Sequence, residues 1–148
     1  MKKILVLHGV NLNMFGKRDP AQYGTITLDE INQQLHALAK ELGVALETYQ
    51  TNHEGEICEK IHAAHLEKVD AVLINAGAWT HYSIALRDAL AILKVPIIEC
   101  HMSNIHAREE FRHVSHVSPL AKGIIAGFGV HSYLLSLRAA VEVISGKA

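Results

Sequence analysis

Two cysteines, Cys58 and Cys100, are all the chain has, too few for a disulfide framework or a thiolate zinc site. Each is flanked by apolar or helix-forming residues, so both are expected as buried thiols in a reducing cytosol. An excess of one charge is also missing: 14 Lys and Arg stand against 15 Asp and Glu, a formal net charge of -1, with no basic block or tail. Nucleic acid and anionic membrane are therefore not expected partners. No apolar run approaches membrane-spanning length. The opening Met-Lys-Lys leads straight into a short strand-like run, without the h-region and cleavage site of a signal peptide, so a cytoplasmic location is expected. Linkers, repeats and low-complexity segments are absent too. What is present is 148 residues with 49% hydrophobic content, which suits one domain over residues 1–148 that buries its core without metals or staples. The one surplus is histidine, with eleven.

Strand-like and helix-like runs alternate along the chain. Lys3 to His8 is a continuous apolar run ending in polar residues, the pattern of a parallel strand buried on both faces. Thr27-Leu-Asp-Glu30 reads as a capping box, and Gly43 closes the helix it opens. Val44 to Gln50 alternates as a strand. Glu54 to Lys68 reads as a helix with Ile57, Ile61, Ala64 and Leu66 roughly along one face. Asp70 to Asn75 is a buried strand, Ser83 to Leu93 a helix capped by Ser83, and Val95 to Cys100 a strand with Pro96 at its start. A short helix near Ala107 to Phe111, a strand near Gly123 to Ala126 and a last helix from about His131 to Ile144 complete the series. Repeated β-α units predict an α/β fold with a parallel sheet covered by helices on both faces.

In such sheets ligands sit beyond the carboxyl ends of the strands, so the polar residues there should converge on one pocket. These are His8, Gly9, Asn11 and Asn13 after the first strand, Asn75, Gly77, Thr80 and His81 after the third, and Glu99, His101 and Ser103 after the fourth. Asn11 and Asn75 suit a ligand or the backbone of a turn equally well. Glu99 and His101 lie two apart, so strand alternation points both side chains to one face, where the carboxylate fixes the imidazole tautomer for acid-base work. His62 and His65, three apart on a helix, have no third ligand nearby and read as solvated rather than as a metal site. Arg108 and Arg112 are four apart on the short helix, available for local salt bridges or for an anionic or polyhydroxylated substrate.

Gly9 to Thr27 shows no apolar period and reads as a structureless stretch: either a lid with Gly16 and Gly24 as hinges, or an ordinary surface loop whose Tyr packs and whose Arg is solvated. Within it Arg18 stands five residues before Tyr23. A phenol, with a reference pKa of about 10, is almost wholly protonated at neutral pH, but an adjacent guanidinium favours the phenolate and makes tyrosine a usable base.

Four strings together resemble the type II 3-dehydroquinate dehydratases: Leu7-His-Gly-Val-Asn-Leu-Asn13, Gly16-Lys-Arg-Asp-Pro with Tyr23-Gly24, Asn75-Ala-Gly-Ala-Trp-Thr-His81, and Ile98-Glu-Cys-His-Met-Ser-Asn-Ile-His-Ala-Arg-Glu-Glu-Phe-Arg112. They run in order through essentially the whole chain. Met14-Phe15 departs from a commonly aliphatic pair, and Asp19 stands where Glu is frequent; both changes touch the lid. The resemblance implies a flavodoxin-like, doubly wound parallel sheet and conversion of 3-dehydroquinate without cofactor or metal. It implies Tyr23 as base beside Arg18, His101 as acid oriented by Glu99, and Asn11 holding a water that assists enolate formation. Asn75, His81 and Arg112 match ligands of the substrate hydroxyls, and Met102 and Ser103 match the carboxylate site. Asp88 resembles a residue that reaches a neighbouring subunit's pocket, in a dodecamer of trimers.

Two other functions share the expected fold. A flavin or nucleotide module needs a phosphate-cradling glycine loop at the first strand, and His8-Gly-Val-Asn-Leu-Asn13 is neither a dinucleotide fingerprint nor a P-loop. A phospho-acceptor receiver needs clustered aspartates at strand ends, where this chain has Asn, His and Glu.

Overall fold

The computed structural model describes all 148 residues. Five strands form one sheet: β1 (Lys3–His8), β2 (Ala45–Gln50), β3 (Ala71–Asn75), β4 (Ile97–His101) and β5 (Gly123–Ala126). All pair in parallel, in the order β2-β1-β3-β4-β5. This is the flavodoxin-like, doubly wound order, in which the chain reverses its direction of growth at β1 and β3. The helices are α1 (Pro20–Tyr23), α2 (Leu28–Leu42), α3 (Glu54–Glu67), α4 (Ile84–Ile92) and α5 (Val130–Ile144). None is long and apolar enough to cross a membrane.

Strand alternation divides the core into two layers. Ile4, Val6, Leu73 and Cys100 pack with Ile31, Leu35, Tyr133 and Leu137 of α2 and α5. Leu5, Leu7, Val72 and Ile74 pack on the other face with Ile57, Ile61, Leu86 and Leu90 of α3 and α4. Each such side chain, fully buried, contributes about 1.5–3 kcal/mol. The capping box of α2 is formed: Glu30 N–H donates to Thr27 Oγ1 at 3.2 Å, and Thr27 N–H to Glu30 Oε1 at 3.4 Å. Gly43 ends that helix with φ +74°, a left-handed conformation that suits glycine. Ser83 caps α4 by accepting from Leu86 N–H.

At the amino ends of the strands the surface is tied by ion pairs: Lys2 with Asp70 at 3.6 Å, Lys3 with Glu47 at 3.2 Å and Glu67 at 3.8 Å, and Lys60 with Glu47. The polar strand ends lie at the opposite edge.

Three local expectations are corrected. Leu66 is 79% exposed, because at 100° per residue it falls half a turn away from Ile57, Ile61 and Ala64. The loop after β1 is not structureless. A 3-10 turn at Leu12–Met14 and the single helical turn α1 punctuate it, Asp19 capping α1 by accepting from Ala21 N–H, while buried Leu12 and Phe15 pin the loop to the core. The helix expected near Ala107 to Phe111 is two separate 3-10 turns, Ile105–Ala107 and Glu110–Arg112. Between them Arg108 is extended (φ -114°, ψ -161°), and its carbonyl oxygen lies 3.1 Å from His113 Nε2.

Candidate active site

Close approach of two strand ends builds the site. A Cβ on Gly9 would lie 2.2 Å from the Ala76 carbonyl oxygen, and one on Gly77, where φ is +61°, would lie 2.8 Å from the carbonyl of Val10. With glycine at both positions the loops after β1 and β3 close on each other. Beside them opens a cavity of about 140 Å³. A cavity of roughly 150 Å³ accepts one benzene-sized ring, so this one suits a single small ring.

The loop after β1 contributes Asn11, Arg18 and Tyr23 to its wall; the β3 end contributes Asn75 and His81; the β4 end contributes His101, Met102 and Ser103, followed by Arg108 and Arg112. Asn11 holds a left-handed backbone (φ +69°) that asparagine tolerates, and its N–H donates to Asn52 Oδ1 at 2.8 Å. Asn75 Oδ1 accepts the N–H of Gly77 at 3.1 Å, so Asn75 ties down its turn and also faces the cavity.

His101 and Glu99 are both buried, 2.5 Å apart from Nε2 to Oε2. That bond occupies Nε2 as donor and leaves Nδ1 as the ring nitrogen without a partner. Glu99 stands behind His101, outside the cavity wall, and also accepts the hydroxyls of Ser115 and Ser118. Burial alone would raise its pKa; the bonds from His101, Ser118 and Ser115 outweigh burial and hold the carboxyl below the ordinary range. It is ionised at neutral pH. The His81 ring stacks on that of His101 at 6.3 Å and 20°. His81 Nδ1 donates to the Val114 carbonyl at 2.8 Å, which frees Nε2. Partial burial, with lesser effects from His101 and Arg112, lowers the His81 pKa against the opposing pull of the carbonyl.

Tyr23 packs against Phe15 at 5.7 Å, with the Arg18 guanidinium 4.2 Å and the Arg108 guanidinium 5.2 Å from its ring centroid. Arg108 also donates to Ser103 Oγ at 3.1 Å. Arg112 Nε donates to Glu109 Oε1 at 2.9 Å, the local salt bridge, while the side chain still lines the cavity.

A profile of the family described as Dehydroquinase class II matches residues 2–141. The chain belongs to the class II dehydroquinase family. A 3-dehydroquinate dehydratase of Leptothrix cholodnii is 68% identical to it over 142 residues, 96% of this chain and 95% of the relative. The crystal structure of a type II dehydroquinase from Propionibacterium acnes superposes with a TM-score of 0.92 at 46% identity, covering 95% of this chain and 97% of that one. One from Butyrivibrio crossotus gives 0.91 at 40% identity, covering 94% and 97%.

Some strand-end residues of this class II dehydroquinase stay out of the cavity. His8 is buried against the α5 layer, Thr80 is buried, and Asn13 is exposed. Asp88 is exposed on α4, away from its own chain's cavity. His62 and His65 are exposed on α3. Cys100 is buried, and burial pushes its thiol up to about 12, whereas Cys58 is only half-buried. Arg108 lies in the cavity wall beside Tyr23, and exposed Asn52 accepts the Asn11 N–H from outside it. The four-residue spacing from Arg112 marked Arg108 for recognition, but nothing local marks Asn52.

Proposed function

We propose that the chain is a cytoplasmic, single-domain catalyst that dehydrates 3-dehydroquinate to 3-dehydroshikimate, in the shikimate route to aromatic amino acids or in quinate breakdown. Elimination is anti and passes through an enolate. One observation carries the mechanism: a single cavity holds a tyrosine flanked by two guanidiniums and a histidine bonded to a buried, ionised glutamate.

Tyr23 as phenolate takes the proton from the carbon beside the ketone, with the Arg18 and Arg108 guanidiniums against its ring. The electron pair moves onto the ketone oxygen, where a water held by Asn11 meets the developing charge. The enolate then reforms the carbonyl and expels the β-hydroxyl, which leaves as water with a proton from His101. Glu99 orients that imidazole through its bond to Nε2. Tyr23 and His101 come from different elements, the covering loop and a strand end, an arrangement compatible with loss of proton and hydroxyl from opposite ring faces. Asn75, His81 and Arg112 bind the substrate hydroxyls; Ser103 and the Met102 backbone bind its carboxylate. No lysine lines the cavity, which supports a route without a Schiff base.

Asp88 is read as reaching a neighbour's cavity in a dodecamer of trimers. Its exposure, with exposed Tyr82 and Ile84 nearby on the same segment, supports burial of this face by another subunit. The test of function is direct: incubation with 3-dehydroquinate should produce the ultraviolet absorbance of a conjugated enone. No rise in absorbance rejects the reading.

A further inference from the structure

Behind the cavity a continuous chain of polar groups runs to Asn75 through residues that take no part in the chemistry above. His8 ends β1 and Asn75 ends β3, paired in register, and strand alternation turns both toward the α2 and α5 layer. Tyr133 of α5, fully buried, sits between them, its hydroxyl 3.1 Å from His8 Nδ1 and 2.9 Å from Asn75 Nδ2. His8 Nε2 lies 2.8 Å from Asn32 Oδ1 on α2.

Groups with no choice of role set the direction of this chain. The Gly77 N–H can only donate, so the Asn75 atom it meets is Oδ1, and Nδ2 is left to donate to the Tyr133 oxygen. Tyr133 already receives the Asn75 N–H, so its own hydroxyl hydrogen goes to a bare Nδ1 of His8, whose proton then sits on Nε2 facing Asn32 Oδ1. Each link is satisfied with a neutral imidazole. A protonated His8 would turn a second donor on Tyr133 and strand the phenol hydrogen in the core. Burial accordingly pulls His8 down to about 4, against the opposing bond to Asn32, and pushes Tyr133 well above the ordinary phenol range. Bonds aligned in this way polarise one another, and the series ends on an amide in the cavity wall.

We propose that His8 and Tyr133 are positioning residues for Asn75, locking its amide against the rotation that would misdirect its remaining N–H at the cavity wall. The role rests on the reading of Asn75 as a substrate ligand. Neither His8 nor Tyr133 lines the cavity, so each acts through Asn75.

The test is a double-mutant cycle in kcat/KM for 3-dehydroquinate with Tyr133→Phe, Asn75→Ala and the pair. Tyr133→Phe removes one oxygen and keeps the ring. It is expected to lower kcat/KM about tenfold, mainly through KM, and to add nothing in the Asn75→Ala background. Losses that multiply in the double variant would overturn the role, as would wild-type kinetics in a folded Tyr133→Phe protein. If Tyr133→Phe does not fold, Asn32→Ala on the half-buried face of α2 reads the same coupling. Nitrogen-15 spectra of the His8 ring supply a second readout, with the Nε2–H tautomer expected at neutral pH; an Nδ1–H tautomer would overturn the donor order. Wild-type protein inert toward 3-dehydroquinate would reject the dehydratase reading and this role with it. Active enzyme with multiplying losses would reject the positioning role alone.

Discussion

Removing one oxygen from Tyr23 separates chemistry from packing, because its ring keeps Phe15 and both guanidiniums as neighbours. Tyr23→Phe is expected to fold normally by circular dichroism and to lose about a thousandfold in turnover, the scale of a missing general base. Near-normal enone production from the folded variant would reject Tyr23 as base. His8 yields a prediction about stability. Its pKa falls from 6.5 to about 4 on folding, so between those values the unfolded chain binds the extra proton and the folded one does not. Stability should therefore fall as pH drops through this window, by about 2 kcal/mol from pH 7 to pH 5. Glu99 acts at lower pH: its contribution is full above the ordinary carboxylate value, shrinks as acid passes below that value, and is gone below the depressed folded-state value. Urea denaturation of wild type and His8→Phe checks this: an equal acid slope in both proteins would refute the assignment to His8. The Arg18–Tyr23 and Glu99–His101 pairs were legible in the sequence because each lies within one short segment. The partnership of His8 with Tyr133 was not, since 125 residues separate them and the α5 pattern shows only an apolar face.

Elements were most legible where backbone chemistry punctuates them, as at Thr27 and Glu30, Gly43 and Ser83. The two 3-10 turns that replace the helix near Ala107 escaped notice because what breaks them apart is tertiary. Arg108 is drawn out to Ser103 and Tyr23, and its carbonyl lies within reach of His113. The meeting of the β1 and β3 ends is likewise invisible in sequence, although the glycines that permit it are not. Gly9→Ala would drive a methyl into the Ala76 carbonyl and shift the turn that holds Asn75. It is expected to destabilise by about 1–3 kcal/mol or more and to depress turnover with it. Gly55→Ala in the first turn of α3, where a Cβ meets nothing within 4 Å, should gain up to about 1 kcal/mol and leave turnover alone. Denaturant midpoints and enone assays on both variants decide it; an unperturbed Gly9→Ala protein would contradict the tight apposition.

For the whole molecule, a shared site predicts that dissociated but folded subunits lose activity and that Asp88→Ala lowers turnover without unfolding the chain. Fully active monomers in sedimentation would contradict it. Borohydride added with 3-dehydroquinate should leave the protein mass unchanged, and a trapped adduct would sink the enolate route. The overall sheet was readable because alternating β and α runs leave few topologies, whereas subunit contacts leave no periodic trace in sequence. The ion pairs at the amino ends of the strands have a bearing on engineering. Lys3 and His8 are five steps apart along β1, roughly 16 Å at about 3.3 Å per residue, or twice the Debye length of about 8 Å at physiological salt. The effect of recharging the Lys3, Glu47 and Asp70 edge is therefore largely screened at the far end of the strand. Thermal robustness and catalytic rate, which commonly trade against each other, are adjustable here at opposite ends of the same strand.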